Sequence, residues 1–389
     1  LGNQLLTASS WSGNTKYYPY IPFMASGTAG NWLFVDGEKS LYINLAGLVS
    51  SDLTWEKAST FNIGLDFTML NQRLDFSFDW YQRTTSDMLV KVEYPEVLGT
   101  TAPPANKAEL RTRGWEVSVK WNDRIGNDFS YDLGFILSDS QAEITKYENP
   151  SGTLSDYYVG QKIGEIWGYE TEGFYQSDTD VQNHADQSKL GANWAPGDIM
   201  YKDLDGNKKI NNGSNTLDDH GDLKVIGNTT PRYQYGITAN MSYKNVYLNV
   251  FFQGIGKRDF WPSSQPFWPV ATQYYNTQKW FVTDSWSEDN RDAYFARPIA
   301  RETKNQQKQT KYLQDASYCR LKNLTVGYDF PKSWLSFLHV AKAGVYFSAE
   351  NLFEFTNVKG AYDPEAAGKN GTMVYPFQRT YSFGLNVTF

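Results

Sequence analysis

The chain has 389 residues, with 43 Asp and Glu against 36 Lys and Arg, a formal charge of -7 and a pI near 5.2. An acidic balance without a polybasic patch excludes nucleic acid as a partner, because phosphates demand a basic surface. Mean hydropathy is polar at -0.56 and no apolar run is long enough for a spanning helix, which excludes a helical membrane protein.

Residues 1–30, with Trp11, Tyr17, Tyr18, Tyr20 and Phe23 among Gly, Ser and Pro, read as a loop entering a short segment at 32–36. No charged-then-apolar leader precedes them, so the expectation is a chain that begins in mid-protein. From Lys57 onward the period is two. Phe61, Ile63, Leu65, Phe67 and Met69 alternate with Asn62, Gly64, Asp66 and Thr68, and Leu74, Phe76, Phe78 and Trp80 alternate with Asp75, Ser77 and Asp79. Trp115, Val117, Val119 and Trp121 oppose Glu116, Ser118 and Lys120; Phe129, Tyr131, Leu133, Phe135 and Leu137 oppose Ser130, Asp132 and Gly134. Tyr233 to Tyr243 repeats the pattern cleanly, and 245–253, 320–330 and 342–352 less cleanly. At the end Tyr381, Phe383, Leu385, Val387 and Phe389 oppose Thr380, Ser382, Gly384, Asn386 and Thr388, as in a strand with oil on one side and water on the other. The charged face must be wet. The count is roughly ten strands of about ten residues, a length that crosses a bilayer at a tilt.

The connections alternate. Asn71-Gln72, 122–127, Lys244-Asn245 and 330–333 are short polar turns, whereas 89–107, 146–228, 259–311 and 356–374 are long excursions, so every long loop leaves one rim. Together with 27 Tyr, 23 Phe and 13 Trp, enough to furnish interfacial girdles, this predicts an all-β fold: a transmembrane antiparallel β-barrel in a Gram-negative outer membrane, with long extracellular loops. A barrel of about ten strands is too narrow for such loops, so the chain, 1–389, is expected to be the C-terminal part of a wider one. Cys319 cannot form an internal disulfide and reads as a small buried or lipid-facing strand residue.

Two loop clusters carry candidate chemistry. Asp203-Leu-Asp-Gly-Asn-Lys-Lys-Ile-Asn211 sets oxygen donors at positions 1, 3, 5 and 9 of a calcium-type loop: Asp203, Asp205, Asn207 and Asn211, with the Lys209 carbonyl at position 7. Lys208 replaces the expected Gly and no Glu stands at position 12, although Asp218, Asp219 or Asp222 could close the shell. Either the loop holds a structural Ca²⁺ or it is a solvated Asx-rich turn. The second cluster is Phe260-Trp261-Pro262, Phe267-Trp268-Pro269, Tyr274-Tyr275, Trp280-Phe281 and Trp286. Such rings either stack on sugars and anchor partners, or form the loop's own small core. The three histidines, His184, His220 and His339, lie far apart with no nucleophile and base at recognisable spacing, so no enzyme is expected.

Several ordered stretches resemble one family. They are Ser51-Asp-Leu-Thr-Trp-Glu-Lys57 leading into Asn62-Ile-Gly-Leu-Asp66, Asp79-Trp-Tyr-Gln-Arg-Thr-Thr-Ser-Asp-Met-Leu89, Gly164-Glu-Ile-Trp-Gly-Tyr169 with Glu172-Gly-Phe174, and Pro196-Gly-Asp-Ile-Met-Tyr-Lys-Asp203. Val225-Ile-Gly-Asn228, Pro231-Arg-Tyr-Gln-Tyr-Gly236, Phe252-Gln-Gly254 and Ser348-Ala-Glu-Asn-Leu-Phe353 follow in the same order. From about residue 50 to 389 the chain resembles the SusC/RagA type of TonB-dependent outer-membrane transporter. That resemblance implies a barrel of about 22 strands occluded by an N-terminal plug, neither plug nor TonB box being in this chain. It implies a SusD-like surface lipoprotein as lid, the TonB–ExbB–ExbD complex as energy source, and active import of oligosaccharides or oligopeptides; Trp261, Trp268, Tyr274, Tyr275, Trp280 and Trp286 would serve substrate or partner. A passive porin and an outer-membrane barrel enzyme are the weaker alternatives.

Overall fold

A computed structural model describes residues 48–50, 53–90, 103–270, 277–336, 339–360, 362–367 and 377–389, with short pieces at 21–22, 24, 26–28, 41–43 and 97. The segment 32–36, Tyr274 and Tyr275 lie outside the described residues. The dominant element is one nine-stranded antiparallel sheet. Its strands are β1 (Lys57–Met69), β2 (Leu74–Val90), β3 (Ala105–Ile125), β4 (Phe129–Lys146), β5 (Arg232–Tyr243), β6 (Val246–Lys257), β7 (Tyr318–Asp329), β8 (Lys342–Thr356) and β9 (Thr380–Thr388). Each pairs with its sequence neighbours, so the sheet is an up-and-down meander with β1 and β9 at its edges. Among the described residues the sheet is open rather than closed upon itself.

Alternation translates into two faces of opposite chemistry. Cross-strand register carries Phe67 to Phe76, Val119, Phe135, Ile237, Phe252, Leu321 and Phe353 in one row across eight strands. The neighbouring row on the other face runs Asp66, Ser77, Ser118, Ile136, Gly236, Gln253, Arg320 and Glu354. Apolar side chains of the first face, such as Phe61, Ile63, Leu133, Phe383 and Leu385, are exposed, which a sheet in water would not tolerate and a sheet in lipid requires. On the polar face rings cover glycines: a Cβ at Gly327 would stand 2.1 Å from the Tyr247 ring, and one at Gly384 2.2 Å from that of Tyr346. These Tyr–Gly rungs fill the space a missing side chain leaves and fix the register.

Strands are longer than the ten residues expected. β3 has 21 residues, which at ~3.3 Å each and a tilt of ~45° rises about 50 Å, well past a hydrocarbon core of about 30 Å. The surplus lies toward the long-loop rim. The reason is chemical: above the apolar band, β3 and β4 go on pairing through polar partners, such as Arg111 with Glu143, which water permits and lipid does not. Asn122 therefore belongs to β3, and the turn expected at 122–127 shrinks to 126–128, with Gly126 at φ 64°. Leu70, Asn71 and Gln72 all take left-handed conformations in the first turn, and Lys244 does so in the two-residue turn to β6. The connection placed at 330–333 instead runs 330–341 and carries a one-turn helix, Lys332–Leu335. The long connections run 91–104, 147–231, 258–317 and 357–379, all at the opposite rim from the turns.

Candidate functional site

The two largest excursions, 147–231 and 258–317, fold into one cap. Main-chain bonds stitch them: Tyr169 N–H donates to the Lys308 carbonyl (2.8 Å), Thr310 N–H to that of Tyr169 (3.1 Å), and Arg297 N–H to that of Gly197 (2.9 Å). Beneath these lies an apolar core drawn from both, including Tyr169, Phe174, Ile199, Tyr201, Ile210, Phe267, Trp268, Phe281, Trp286, Phe295 and Tyr312. Phe267 sits at its centre, edge-on to Trp268, Phe295 and Tyr312 at 4.8, 5.3 and 6.0 Å. Burial pushes the Tyr169 and Tyr294 hydroxyls up to about 12, so both stay neutral at any physiological pH.

A polar hub locks the cap. The fully buried Asp198 accepts from Arg297 Nε and Nη2 at 2.9 and 2.8 Å, from Lys304 Nζ at 2.9 Å, and from Asn305 Nδ2 at 2.9 Å. Lys304 also donates to the Ala192 and Asn193 carbonyls and lies 4.8 Å from the Trp194 ring centroid. The Pro196-Gly-Asp stretch positions the hub because Gly197, at φ 89°, adopts a turn in which a Cβ would stand 2.4 Å from the Trp286 ring.

A second network ties loop 357–367 to the polar face of the sheet. Arg320 on β7, almost fully buried, bonds Glu354 on β8, and Asp363 and Glu365 of the loop at 2.6 Å each. Lys322 adds a bond to Glu365 at 2.9 Å, and Phe377 lies 5.0 Å from the Arg320 guanidinium and 5.1 Å from the Lys322 ammonium. Tyr362 of the same loop bonds Ser264 and packs on Phe260, so the loop also seals the cap's flank.

The four sequence-predicted tryptophans, Trp261, Trp268, Trp280 and Trp286, then have a place. Trp268 and Trp286 are interior: each is 8 % exposed, and Trp268 Nε1 donates to the Pro262 carbonyl at 2.6 Å, so they hold the cap together and offer no free face to a sugar or a partner. A long loop detached from the barrel core must bury apolar surface of its own, and its Trp residues supply the most. Trp261 is half-buried against Trp268 at 6.0 Å. Trp280, half-buried, borders an open cleft of about 510 Å³ whose other walls are Gln278, Asp284, Tyr294, Lys359 and Gly360. Sequence reading missed Lys359 because it sits outside the aromatic cluster and reaches the cleft only through the fold of 357–367.

In the Asx-rich loop the structure gathers Asp203, Asp205 and Asp222, with one carboxylate oxygen from each inside 4.8 Å. Asp222, fully buried, also accepts from Leu204 and Asn211 N–H at 2.7 and 2.9 Å. Asp203 accepts from Gly206 and Lys208 N–H, both at 2.8 Å, the latter with Lys208 at φ 60°. The other expected ligands serve turns: the Asn207 side chain accepts from Lys209 N–H at 2.7 Å, that of Asn211 from Gly213 N–H at 2.7 Å, and the Lys209 carbonyl accepts from Asn211 Nδ2 at 3.1 Å. Three hard oxygen donors so disposed fit a Ca²⁺ ion, with Asp222 in the place that a position-12 Glu would fill.

The model of the family described as TonB dependent receptor-like, beta-barrel, matches residues 12–352. The chain belongs to this family. TonB-dependent receptor P3 of Formosa agariphila is 30 % identical over 97 % of this chain and 38 % of its own length. TonB-dependent receptor SusC of Bacteroides thetaiotaomicron is 27 % identical over 87 % of this chain and 32 % of its own. The chain thus spans less than two-fifths of these relatives. Among solved structures, the RagAB peptide transporter superposes with a TM-score of 0.70 at 23 % identity, covering 96 % of this chain and 39 % of that one, which establishes a shared fold. The TonB-dependent receptor barrel accounts for the open sheet: the chain carries part of a cylinder whose apolar face meets the lipid of the outer membrane and whose long loops lie outside the cell.

Proposed function

We propose that the protein carrying this barrel segment imports an oligosaccharide or an oligopeptide across the outer membrane, drawing energy from TonB–ExbB–ExbD and working with a SusD-like lipoprotein seated on the cap. The observation that carries the reading is the cap itself. Two long excursions share one aromatic core and a buried ionic hub, so they are a built rim and not a set of free loops, which supports a partner seated on them. A passive pore needs no such structure. The relative named SusC and the likeness to a structure titled as a peptide transporter support import, and leave the cargo open between sugar and peptide.

Two measurements test this reading together. Native purification of the receptor should bring down a surface lipoprotein in constant ratio, and uptake of labelled oligomer should vanish when TonB is deleted. Solute flux that persists without TonB, with no lipoprotein recovered, would make the protein a porin. Hydrolysis of lipid or peptide by the purified protein would make it an enzyme.

We further propose that Asp203, Asp205 and Asp222 hold a structural Ca²⁺ that stiffens the 203–222 loop. Added Ca²⁺ should slow amide exchange there by about tenfold or more, and chelation should reverse it. Asp205→Ala should abolish the response without changing exchange in β1–β9, since Asp205 is exposed and accepts hydrogen bonds locally, from Asn207. Equal exchange with and without Ca²⁺ would leave the loop an Asx turn only.

A further inference from the structure

The cleft beside Trp280 has well-packed walls. Trp280 and Tyr294 stack at 5.2 Å and 27°, Phe295 meets Trp280 edge-on at 4.6 Å, and Gly360, at φ 86°, brings its backbone so close that a Cβ would stand 3.0 Å from the Trp280 ring. Gln314 donates to the Tyr294 hydroxyl at 2.6 Å, fixing that ring from its far end. Rings held in this way lose little freedom when a ligand settles on them.

The cations at the cleft are held differently from others in the cap. Elsewhere in the cap cations share acids: Arg297 and Lys304 share Asp198, and Lys202 and Lys224 share Glu170. Lys359 and Lys311 instead meet ring faces. The Lys359 ammonium lies 4.3 Å from the Tyr294 centroid, and that of Lys311 lies 6.0 Å from the same ring and 4.3 Å from that of Phe174. Among the described residues neither ammonium has a carboxylate within 4.0 Å. Burial holds Lys311 below the ordinary lysine value, and a bound anion would relieve that cost. Asp284, on another wall, accepts Tyr294 N–H at 3.0 Å through Oδ1, and among the described residues Oδ2 is open to a further donor.

We infer that this cleft binds a ligand that presents a carboxylate beside a ring. The carboxylate pairs with Lys359 in the field of Lys311, the ring lies on the Trp280–Tyr294 wall, and a hydroxyl or N–H of the ligand donates to Asp284. The same chemistry has two sources, a uronate unit of a glycan or the C-terminal aromatic residue of a peptide. This rests on the import reading only in treating the ligand as cargo.

Calorimetry on the full-length receptor in detergent tests it with two matched pairs of probes. One pair is an oligogalacturonate and the neutral oligogalactose; the other is a short peptide ending in phenylalanine, with its carboxylate free or amidated. At least one acidic probe should bind about tenfold or more tightly than its neutral twin. Lys359→Gln should erase the preference, Lys359→Arg should keep it, and raising salt from about 50 to about 500 mM should shrink it. Lys359 is exposed, so the variants should fold like the parent, which circular dichroism checks. Equal binding within both pairs, or a preference that survives Lys359→Gln, overturns the inference. Which pair shows the preference names the source. Preference without TonB-dependent uptake would sink the import reading alone, and uptake without preference would sink this site alone.

Discussion

Asp198→Ala is expected to loosen the whole loop cap while β1–β9 remain paired. The substitution strands Lys304, which is 2 % exposed, beside Arg297 with no compensating charge, and removing one partner of a buried pair costs about 3–5 kcal/mol. Hydrogen exchange should rise across 165–201 and 295–312 together, because Asp198, Asn305 and the Tyr169–Lys308 bonds lie in one cooperative patch. Exchange confined to a few residues around 198 would show that the two loops do not fold as a unit. Acid should have the same effect. Burial works to raise the Asp198 carboxyl, but bonds from Arg297, Asn305 and Lys304, with the Lys304 charge, outweigh it and hold the group below the usual range. A depressed folded value means the stabilisation is whole above the unfolded value of ~3.9 and is lost as pH falls through the folded one. The cap should therefore open below about pH 4 ahead of a barrel held by main-chain ladders.

Leu133→Arg is expected to abolish assembly into the membrane. Leu133 pairs with Trp121 and Ala239 at the centre of the apolar run of β4, 129–137, on the exposed apolar face, where a cation near the bilayer midplane costs roughly 2–4 kcal/mol. Ser118→Arg, on the opposite face of the neighbouring strand, is the control and should insert. Yields in lipid vesicles separate the two. Insertion of Leu133→Arg with failure of Ser118→Arg would mean that the faces have been assigned the wrong way round, and equal insertion of both would mean that neither position meets lipid.

The sheet was legible in the sequence because a period of two is a local signal, repeated in nearly every strand, and because turn residues such as Asn71, Gly126 and Lys244 mark where it reverses. Strand length was not: above the apolar band, β3 and β4 are written in polar residues that look like loop, and only pairing reveals them as strand. The candidate site divided along the same line. Asp203 and Asp205 sit two residues apart and could be read directly, but choosing Asp222 over Asp218 or Asp219 needs the fold, since it arrives after an irregular excursion. Aromatic residues could be counted but not aimed. Trp268 and Trp280 are indistinguishable as letters, and one went to the interior and the other to the edge of a cleft, depending on how 258–317 packs on 147–231.

The ties of Arg320 bear on mechanics. One guanidinium grips two residues of loop 357–367 and one of β8 while itself belonging to β7, so lifting that loop would break several charge-assisted bonds at once inside a nearly dry site. That stretch of wall and its loop therefore move as a single stiff panel. Any motion at this rim has to be hinged outside the panel.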